Sequence, residues 1–281
     1  MASAGLRRLR RWRDDGLLYG MYGVTAALAI VVVLPVAVVV AGSCLDTSFL
    51  GLSSEQWVSG GRDRVSFKWF LYVIELYGGT MLFSLRLALL SVGVCLGAGV
   101  TAAYVLVRRP FRGSRLLEEI VLLPLSLPGI GMSVALIQAW SVVRGQWWLI
   151  LGGHLLYTLP FMVRAVTNTL RSFDVARLEA AARTLGAGTW QRATWVVLPN
   201  LRHAMVVGSL LVFAISWGEF NVSFLLNTPL HQTFPAALYA TYTANSFQVS
   251  SAATVLFLAV VVPALVAIQL AGGRDLVEQG V

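Results

Sequence analysis

The chain has 281 residues, of which 57% are hydrophobic and only 12% are charged, and its formal net charge is +8. A water-soluble domain needs more charged surface than this, so the composition excludes an ordinary soluble domain and predicts a lipid bilayer as the main solvent. The two cysteines, Cys44 and Cys95, are too few for a disulfide framework or a cysteine-based metal cluster.

Six apolar runs are long enough to be transmembrane helices, because about 20 apolar residues cross the hydrocarbon core of a bilayer. In chain order, the predicted spans are 17–41, 80–107, 120–140, 147–163, 205–226 and 249–270. The first is longer than a signal-peptide core and is expected to be an uncleaved anchor. Pro124 and Pro128 interrupt the third span, where the helix can bend. The sequence therefore predicts an all-α membrane protein with six transmembrane helices in one domain, 17–270, and leaves the fold of the segment 45–79 open.

The distribution of basic residues predicts the orientation in the membrane. Sixteen Lys and Arg residues lie in the N-terminal arm (1–16), the second and fourth loops and the tail (271–281), against four in the remaining loops. Because Arg-rich loops stay on the cytoplasmic side, both termini and the loop after the fourth span are expected in the cytoplasm. The positive charge is thereby explained by topology, and a nucleic-acid partner is not expected.

The loop between the fourth and fifth spans is the most informative segment, since it is longer than usual helix connections. Asp174 can cap a helix, the Ala-rich stretch after it favours helix, and Gly186 or Gly188 can supply a left-handed stop. A second helix is expected to begin near Thr189 and to stop before Pro199. The pattern predicts a short cytoplasmic helix whose small residues permit close approach by another protein.

The residues 179–186 (EAAARTLG), followed by VVLP at 196–199, resemble the coupling loop of binding-protein-dependent ABC importer permeases of type I. The family pattern is Glu-Ala-Ala, three residues, Gly, nine residues, an aliphatic residue, any residue, Leu and Pro. The resemblance implies that the short helix, within the coupling loop 171–200, seats in a groove of an ATPase subunit. The residues implied in this coupling are Glu179, Ala180, Ala181, Arg183, Gly186, Leu198 and Pro199. Counted back from Gly186, the Glu of the family pattern falls on Ala180 in this chain, and Glu179 lies one residue earlier. Glu179 therefore either reaches the groove from another angle or solvates the helix.

The resemblance implies a permease subunit that forms the translocation path for a small solute in the bacterial cytoplasmic (inner) membrane. It is greatest to the spermidine/putrescine permease group, with aminophosphonate and ferric-iron relatives close behind. The implied partners are an ABC ATPase dimer, a second and homologous permease, an extracytoplasmic solute-binding protein and membrane lipid. The chain lacks a phosphate-binding loop with Gly-Lys-Ser or Gly-Lys-Thr, so ATP and Mg are expected in the partner ATPase. No catalytic residue, metal site or cofactor is expected in this chain.

Polar residues in the fifth span predict a candidate translocation path. Ser216, Glu219 and Ser223 lie at helical offsets of zero, three and seven, with Trp217 and Asn221 alongside. Polar groups are costly in hydrocarbon, so these are expected to face a partner helix or a water-filled cavity. For a cationic solute, Glu219 could balance the charge and Trp217 could offer a cation-π surface, or either could make structural contacts.

The alternative function is a stand-alone secondary transporter driven by an ion gradient, with Glu219 and Arg86 as coupling residues. Its weaknesses are the lack of a visible inverted repeat and a docking loop that it would not need. An intramembrane enzyme would require a recognisable catalytic motif, and none is present.

The three histidines are not expected to bind a metal. His154, His203 and His231 have no metal-site spacing and are expected to be hydrogen-bonding residues at the membrane interface.

Overall fold

The computed structural model describes residues 2–44, 66–244 and 246–278, with side chains described for 19–44, 66–244 and 246–271. Within these ranges the regular structure is helical, apart from an isolated antiparallel bridge between Thr228 and His231. The predicted all-α class is confirmed. Of the segment whose fold was left open, residues 45–65 lie outside the described residues, and a helix begins at Lys68.

The helices are joined by short connections and by two π-helical segments. The described α-helices are α1 Ala2–Cys44, α2 Lys68–Val94, α3 Val100–Arg108, α4 Ser114–Leu122, α5 Gly129–Ala139, α6 Trp147–Ser172, α7 Val175–Thr184, α8 Thr189–Arg192, α9 Leu198–Gly218, α10 Asn221–Leu226, α11 Phe234–Ala244 and α12 Phe247–Glu278. The π-helical segment Cys95–Gly99 links α2 to α3, and Ala193–Val197 links α8 to α9.

Five helical runs among the described residues are long and apolar enough to cross a membrane, and a bent pair raises the number to six. The five runs are Tyr19–Cys44, Lys68–Arg108, Trp147–Ser172, Thr189–Gly218 and Phe247–Ala271. The pair consists of Ser114–Ser126 and Gly129–Ala139, which meet at 109°. Leu127 and Pro128 between them are extended, since a proline and the residue before it disfavour helix continuation. The predicted interruption of the third span is confirmed.

The centre of the bundle is α9, which packs against α6, α2 and α12, while α3 packs against α6. In contrast, α1 lies at the outside and packs mainly along α12. Large apolar side chains on α1, such as Val31 and Leu34, are exposed. A helix that is apolar on its exposed side fits a hydrocarbon environment, because its backbone groups are bonded internally and its side chains need no water.

The fifth span differs from the predicted single helix over 205–226. α9 ends at Gly218, Glu219 is extended with φ −69° and ψ 109°, and α10 begins at Asn221. The prediction that the helix from Thr189 stops before Pro199 is also wrong, because α8, the π-helical segment and α9 form one run. The wider π-turn before Pro199 leaves room for a proline ring that would clash with the preceding turn of an α-helix.

Candidate functional site

Both ends of α7, the short helix predicted in the coupling loop, are capped by residues of this loop. Asp174 Oδ1 accepts a hydrogen bond from the Arg177 N–H at 3.0 Å. At the other end Gly186 adopts φ +84°, and the Ala187 N–H donates to the Ala182 carbonyl at 3.0 Å. This is the arrangement in which a left-handed glycine ends a helix and satisfies its last carbonyls. Of the two candidate glycines, Gly186 therefore provides the stop.

Most of the residues implied in coupling lie on the exposed side of this loop. Ala180, Ala181, Arg183 and Gly186 are exposed around α7, as are Leu198 and Pro199 at the start of α9. Glu179 alone among the implied residues is buried. The small side chains on the exposed side of α7 leave its backbone open to close approach.

Large apolar side chains near α7 are also exposed, and sequence reasoning did not single them out. Leu185 is 88% exposed, Trp190 79% and Trp195 78%. The available signal was the presence of two tryptophans and a leucine in a loop expected to lie outside the membrane. Trp190 and Trp195 belong to the run Thr189–Gly218, so their exposed side chains are available for contact with a partner protein or with lipid.

The carboxylate of Glu179 is turned toward this chain's own α3. Tyr104 Oη donates to Glu179 Oε1 at 2.5 Å, and Arg108 Nε donates to Oε2 at 2.8 Å. Burial raises the pKa of the Glu179 carboxyl, but these hydrogen bonds and the charges of Arg108 and Arg192 outweigh it, so the pKa lies below its usual value. The side chain thus neither solvates α7 nor faces outward, and it ties α7 to the membrane-spanning run.

In the candidate path, Glu219 and Asn221 lie at the break between α9 and α10. Glu219 Oε1 accepts from the Val222 N–H at 2.8 Å, so its half-buried carboxylate caps the first turn of α10. The side chain of Asn221 is exposed, and its backbone carbonyl accepts from Ser133 Oγ at 3.3 Å. These are the two predicted path residues whose side chains are open to the surroundings.

Trp217 lies in the protein interior. It is 2% exposed, and its ring centroid is 6.1 Å from those of Phe234 and Phe257. A cation cannot reach a ring face that is packed in this way, so the predicted cation-π surface does not come from Trp217. The exposed rings near the break include those of Phe224, Tyr239 and Tyr242, at 45%, 47% and 76%.

Ser216 and Ser223 converge on one buried histidine rather than lining an open face. His154 Nδ1 lies 2.8 Å from Ser216 Oγ, and His154 Nε2 lies 2.9 Å from Ser223 Oγ. The three path residues do not form the stripe of one helix, because the helix breaks at Glu219. His154 makes the hydrogen bonds expected of it, and its side chain is 2% exposed. The signal was a histidine inside an apolar span, which calls for a polar partner.

Metal chemistry finds no support in the described side chains, where no group of three or more His, Cys, Asp or Glu residues is placed to hold an ion. Ion pairs also join helices among the described residues. One is Arg108–Glu179, and another joins Arg171 Nη2 to Glu118 Oε2 at 2.9 Å. These ion pairs attach α7 to α3 and α6 to α4.

Comparison with known families identifies the family to which the chain belongs. The family model for the binding-protein-dependent transport system inner membrane component matches residues 93–272, which include α7 and the break after α9. The chain belongs to this family. It is the inner membrane permease component of an ABC importer and a multi-pass inner membrane protein, and the ATPase is a separate subunit.

The relatives that resemble this chain are described as permeases for different solutes. The molybdenum transport system permease protein ModB of Escherichia coli is 34% identical over 177 residues, which are 57% of this chain and 77% of that protein. The spermidine/putrescine permease protein PotC of Escherichia coli is 30% identical over 176 residues, 62% of this chain and 66% of that one. A putative 2-aminoethylphosphonate permease protein, PhnV, of Salmonella paratyphi A is 28% identical over 249 residues, 85% and 89% of the two chains.

Solved structures share the fold of this permease component. A chain of a bacterial ABC transporter involved in the import of the acidic polysaccharide alginate superposes with a TM-score of 0.69 at 18% identity, covering 92% of this chain and 96% of that one. A chain of the inward-facing MetNI methionine ABC transporter gives 0.58 at 22% identity, covering 73% and 96%.

The family assignment has consequences for partners and chemistry. A binding-protein-dependent ABC importer works with an ATPase and a solute-binding protein, so both are partners of this chain. The permease component needs no cofactor, because nucleotide chemistry takes place in the ATPase. The alternative of a stand-alone transporter driven by an ion gradient is excluded by this assignment.

Proposed function

We propose that α7 and the apolar residues beside it form the surface that docks the ATPase subunit on the cytoplasmic side. The observation that carries this proposal is a capped, exposed helix with Leu185, Trp190 and Trp195 largely exposed in the same loop. The exposed Ala180 and Ala181 permit a groove on the partner to approach the α7 backbone closely.

The movement of α7 passes to the membrane through two attachments. Val175 at its start is buried in the cluster that contains Met162 and Leu201, on α6 and α9. Glu179 in its middle holds Tyr104 and Arg108 on α3. ATP binding closes the ATPase dimer, and a closed dimer that fits one orientation of α7 shifts the spans toward the outward-facing form. In this scheme Glu179 acts within the permease while its exposed neighbours contact the ATPase.

The importer of which this chain is part contains a second, homologous permease, and it follows the type I architecture. Both termini of this chain lie in the cytoplasm, because the basic residues concentrate in the arm, the second and fourth loops and the tail. The residues 1–16 and 271–281 form the arm and the tail of a single permease domain. The α7 loop then faces the compartment that contains ATP.

The solute is a small organic cation of the polyamine class. The exposed part of the break carries the half-buried carboxylate of Glu219 and the amide of Asn221. Beside it Phe220, Tyr239 and Tyr242 line a groove of about 360 Å³. A carboxylate attracts ammonium groups, and exposed aromatic faces add cation-π attraction. The 30% identity to PotC agrees with this class.

An oxyanion is the second candidate, and it rests on the 34% identity to ModB. Molybdate differs from a polyamine in the sign of its charge, so Glu219 would repel it. An aminophosphonate, which carries both a positive and a negative charge, and ferric iron are further solutes to be tested.

The experiment is uptake by proteoliposomes that hold this chain with its ATPase, its second permease and its binding protein. Spermidine, molybdate, an aminophosphonate and ferric iron are supplied in turn, with wild-type protein and Glu219→Gln. Because the amide oxygen of Gln still caps α10, this variant removes the charge and keeps the helix break. The proposal expects ATP-dependent spermidine uptake that falls about tenfold in Glu219→Gln, the effect of losing one charge contact of about 1.4 kcal/mol.

The outcomes separate the two parts of the proposal. Uptake of molybdate alone, unchanged in Glu219→Gln, contradicts the cationic class. Loss of the ATPase from the wild-type complex in several mild detergents contradicts the docking surface. If the Glu219→Gln complex takes up spermidine at the wild-type rate, the cationic class holds and only the proposed role of Glu219 is wrong.

A further inference from the structure

A single side chain on a third helix spans the break between α9 and α10. His154 on α6 contacts Ser216, which lies before the end of α9, and Ser223, which lies in the first turn of α10. We infer that His154 is a positioning residue for transport, whose ring fixes the bend between α9 and α10 and thereby the placement of Glu219 and Asn221. This inference rests on the proposed translocation path.

The contacts from His154 to Ser216 and Ser223 are called the clamp here. One neutral form of the imidazole satisfies their hydrogen bonds. Ser216 Oγ donates to Ser91 Oγ at 3.2 Å, so the Ser216 oxygen accepts from His154 Nδ1. A neutral ring with its proton on Nδ1 has an acceptor at Nε2, which leaves Ser223 Oγ to donate there. All four side chains are at most 2% exposed. A buried polar network in which each group has its partner favours one arrangement of the helices over others.

The backbone beside His154 is shaped for the same contact. A Cβ atom on Gly153 would lie 2.3 Å from Val222 Cγ1, so only glycine lets α10 come this close to α6. Glu219, which lies between α9 and α10, caps the first turn of α10. α10 is therefore held by a side-chain cap, a close helix contact and the His154 bridge.

The break needs such support because of its surroundings. Non-helical backbone at membrane depth is tolerated where it is buried in protein or lines a water-filled cavity. Here α9 belongs to a run apolar enough to cross a membrane, and the irregular residues follow its end directly. A clamp that connects both sides keeps the break in one geometry, so that Asn221 remains exposed while Ser216 and Ser223 stay buried.

The test uses the assembled importer and three variants of this chain. His154→Leu removes both bonds of the clamp, and Ser223→Ala removes one. Thr158→Val is the matched control, because Thr158 is buried one turn further along α6 and its hydroxyl donates to the His154 backbone carbonyl, away from α10. Amide hydrogen exchange of peptides that cover 219–227 reports the opening of the break, and it requires no knowledge of the solute.

We expect exchange in 219–227 to be about fivefold faster in Ser223→Ala, as for the loss of one buried hydrogen bond, and faster still in His154→Leu. Exchange in Thr158→Val stays at the wild-type rate. Solute uptake per ATP hydrolysed falls in the two clamp variants, while the binding-protein concentration that gives half-maximal ATPase stimulation is unchanged. A residue that only stabilised the fold would not separate these two quantities.

Wild-type exchange rates in both clamp variants would overturn the inference, and so would an equal acceleration in Thr158→Val. If His154→Leu fails to assemble, Ser223→Ala alone decides, because it removes one hydroxyl and leaves the histidine in place. If the wild-type importer takes up neither spermidine nor molybdate, the solute proposal fails while the exchange experiment still judges the clamp.

Discussion

Arg108 Nε lies 2.8 Å from Glu179 Oε2, so the last residue of α3 holds the middle of α7. Seventy-one positions separate the two residues in the sequence. The pair joins the helix proposed to meet the ATPase to the end of a membrane-spanning run, and Tyr104 adds a second bond to the same carboxylate. In the proposed coupling, a rigid connection at this point transmits a displacement of α7 to α3, where a flexible one would absorb it.

Breaking this ion pair should lower stability more than breaking the more exposed pair between Arg171 and Glu118. Glu179→Gln leaves Arg108 without its charge partner, and we expect a loss of about 1–3 kcal/mol in the free energy of unfolding. Arg171→Gln breaks the pair with Glu118, in which the Arg171 side chain is 53% exposed, and should cost less than about 1 kcal/mol. Thermal unfolding of the purified complexes measures both. Equal losses would contradict the special role of Glu179.

The contribution of Glu179 should depend on pH in a defined direction. Its pKa in the folded protein is lowered, so the stabilisation is complete above the unfolded carboxyl pKa of about 4.3 and is lost as the pH falls through the folded value. The difference in Tm between wild type and Glu179→Gln should therefore be constant near neutral pH and shrink below pH of about 4. A difference that grows on acidification would show that the carboxylate is not the stabilised form.

The left-handed glycine at the end of α7 should be more sensitive to substitution than its neighbour. Gly186→Val places a β-branched residue at φ +84°, which costs about 1–2 kcal/mol or more and loosens the end of α7. Gly188 has φ −68° and ψ 169°, which any residue adopts, so Gly188→Ala is the control. We expect ATP-driven uptake to fall strongly in the first variant and to remain normal in the second. Membrane insertion should be the same in both.

The exposed apolar residues beside α7 should be needed for the partner and not for the fold. Leu185→Asp removes an 88% exposed side chain and should weaken ATPase association about tenfold or more, as at an interface hot spot. Val142→Asp is the control, because Val142 is 96% exposed in the connection between α5 and α6. The amount of ATPase that co-purifies at several protein concentrations reports the change. The same loss in both variants would point to a general effect of the added charge.

A methyl group on Gly153 should disturb the break without touching the histidine. Gly153→Ala brings a Cβ atom to 2.3 Å from Val222 Cγ1, so Val222 and the α10 backbone that carries it must shift, and we expect uptake per ATP to fall. Gly152→Ala has nothing within 4 Å of its Cβ and should be neutral or slightly stabilising, since Ala favours helix. Hydrogen exchange of 219–227 and uptake are compared in the two variants. Unchanged exchange in Gly153→Ala would show that α10 is not held by this contact.

The features that the sequence predicts well are those governed by neighbouring residues. Asp174 caps α7 through a residue three positions away, and Gly186 ends the helix through its own backbone angle. The spans follow from the cost of placing polar groups in hydrocarbon, and the bend at Pro128 follows from the missing N–H. The π-turn that carries the helix through Pro199 was missed, because the proline rule describes α-helices alone.

The tertiary structure decided the features that depend on distant residues. A helical projection of 216–223 assumes an unbroken helix, and the break at Glu219 makes it invalid. The burial of Trp217 depends on Phe234 and Phe257, and the inward turn of Glu179 depends on Arg108. By itself the sequence determined the membrane class, the short helix α7 and its caps, because these arise from local composition and backbone preference. Which polar side chains meet, including His154 with Ser216 and Ser223, was decided only when the helices packed, since each buried polar group must find a partner that periodicity does not identify.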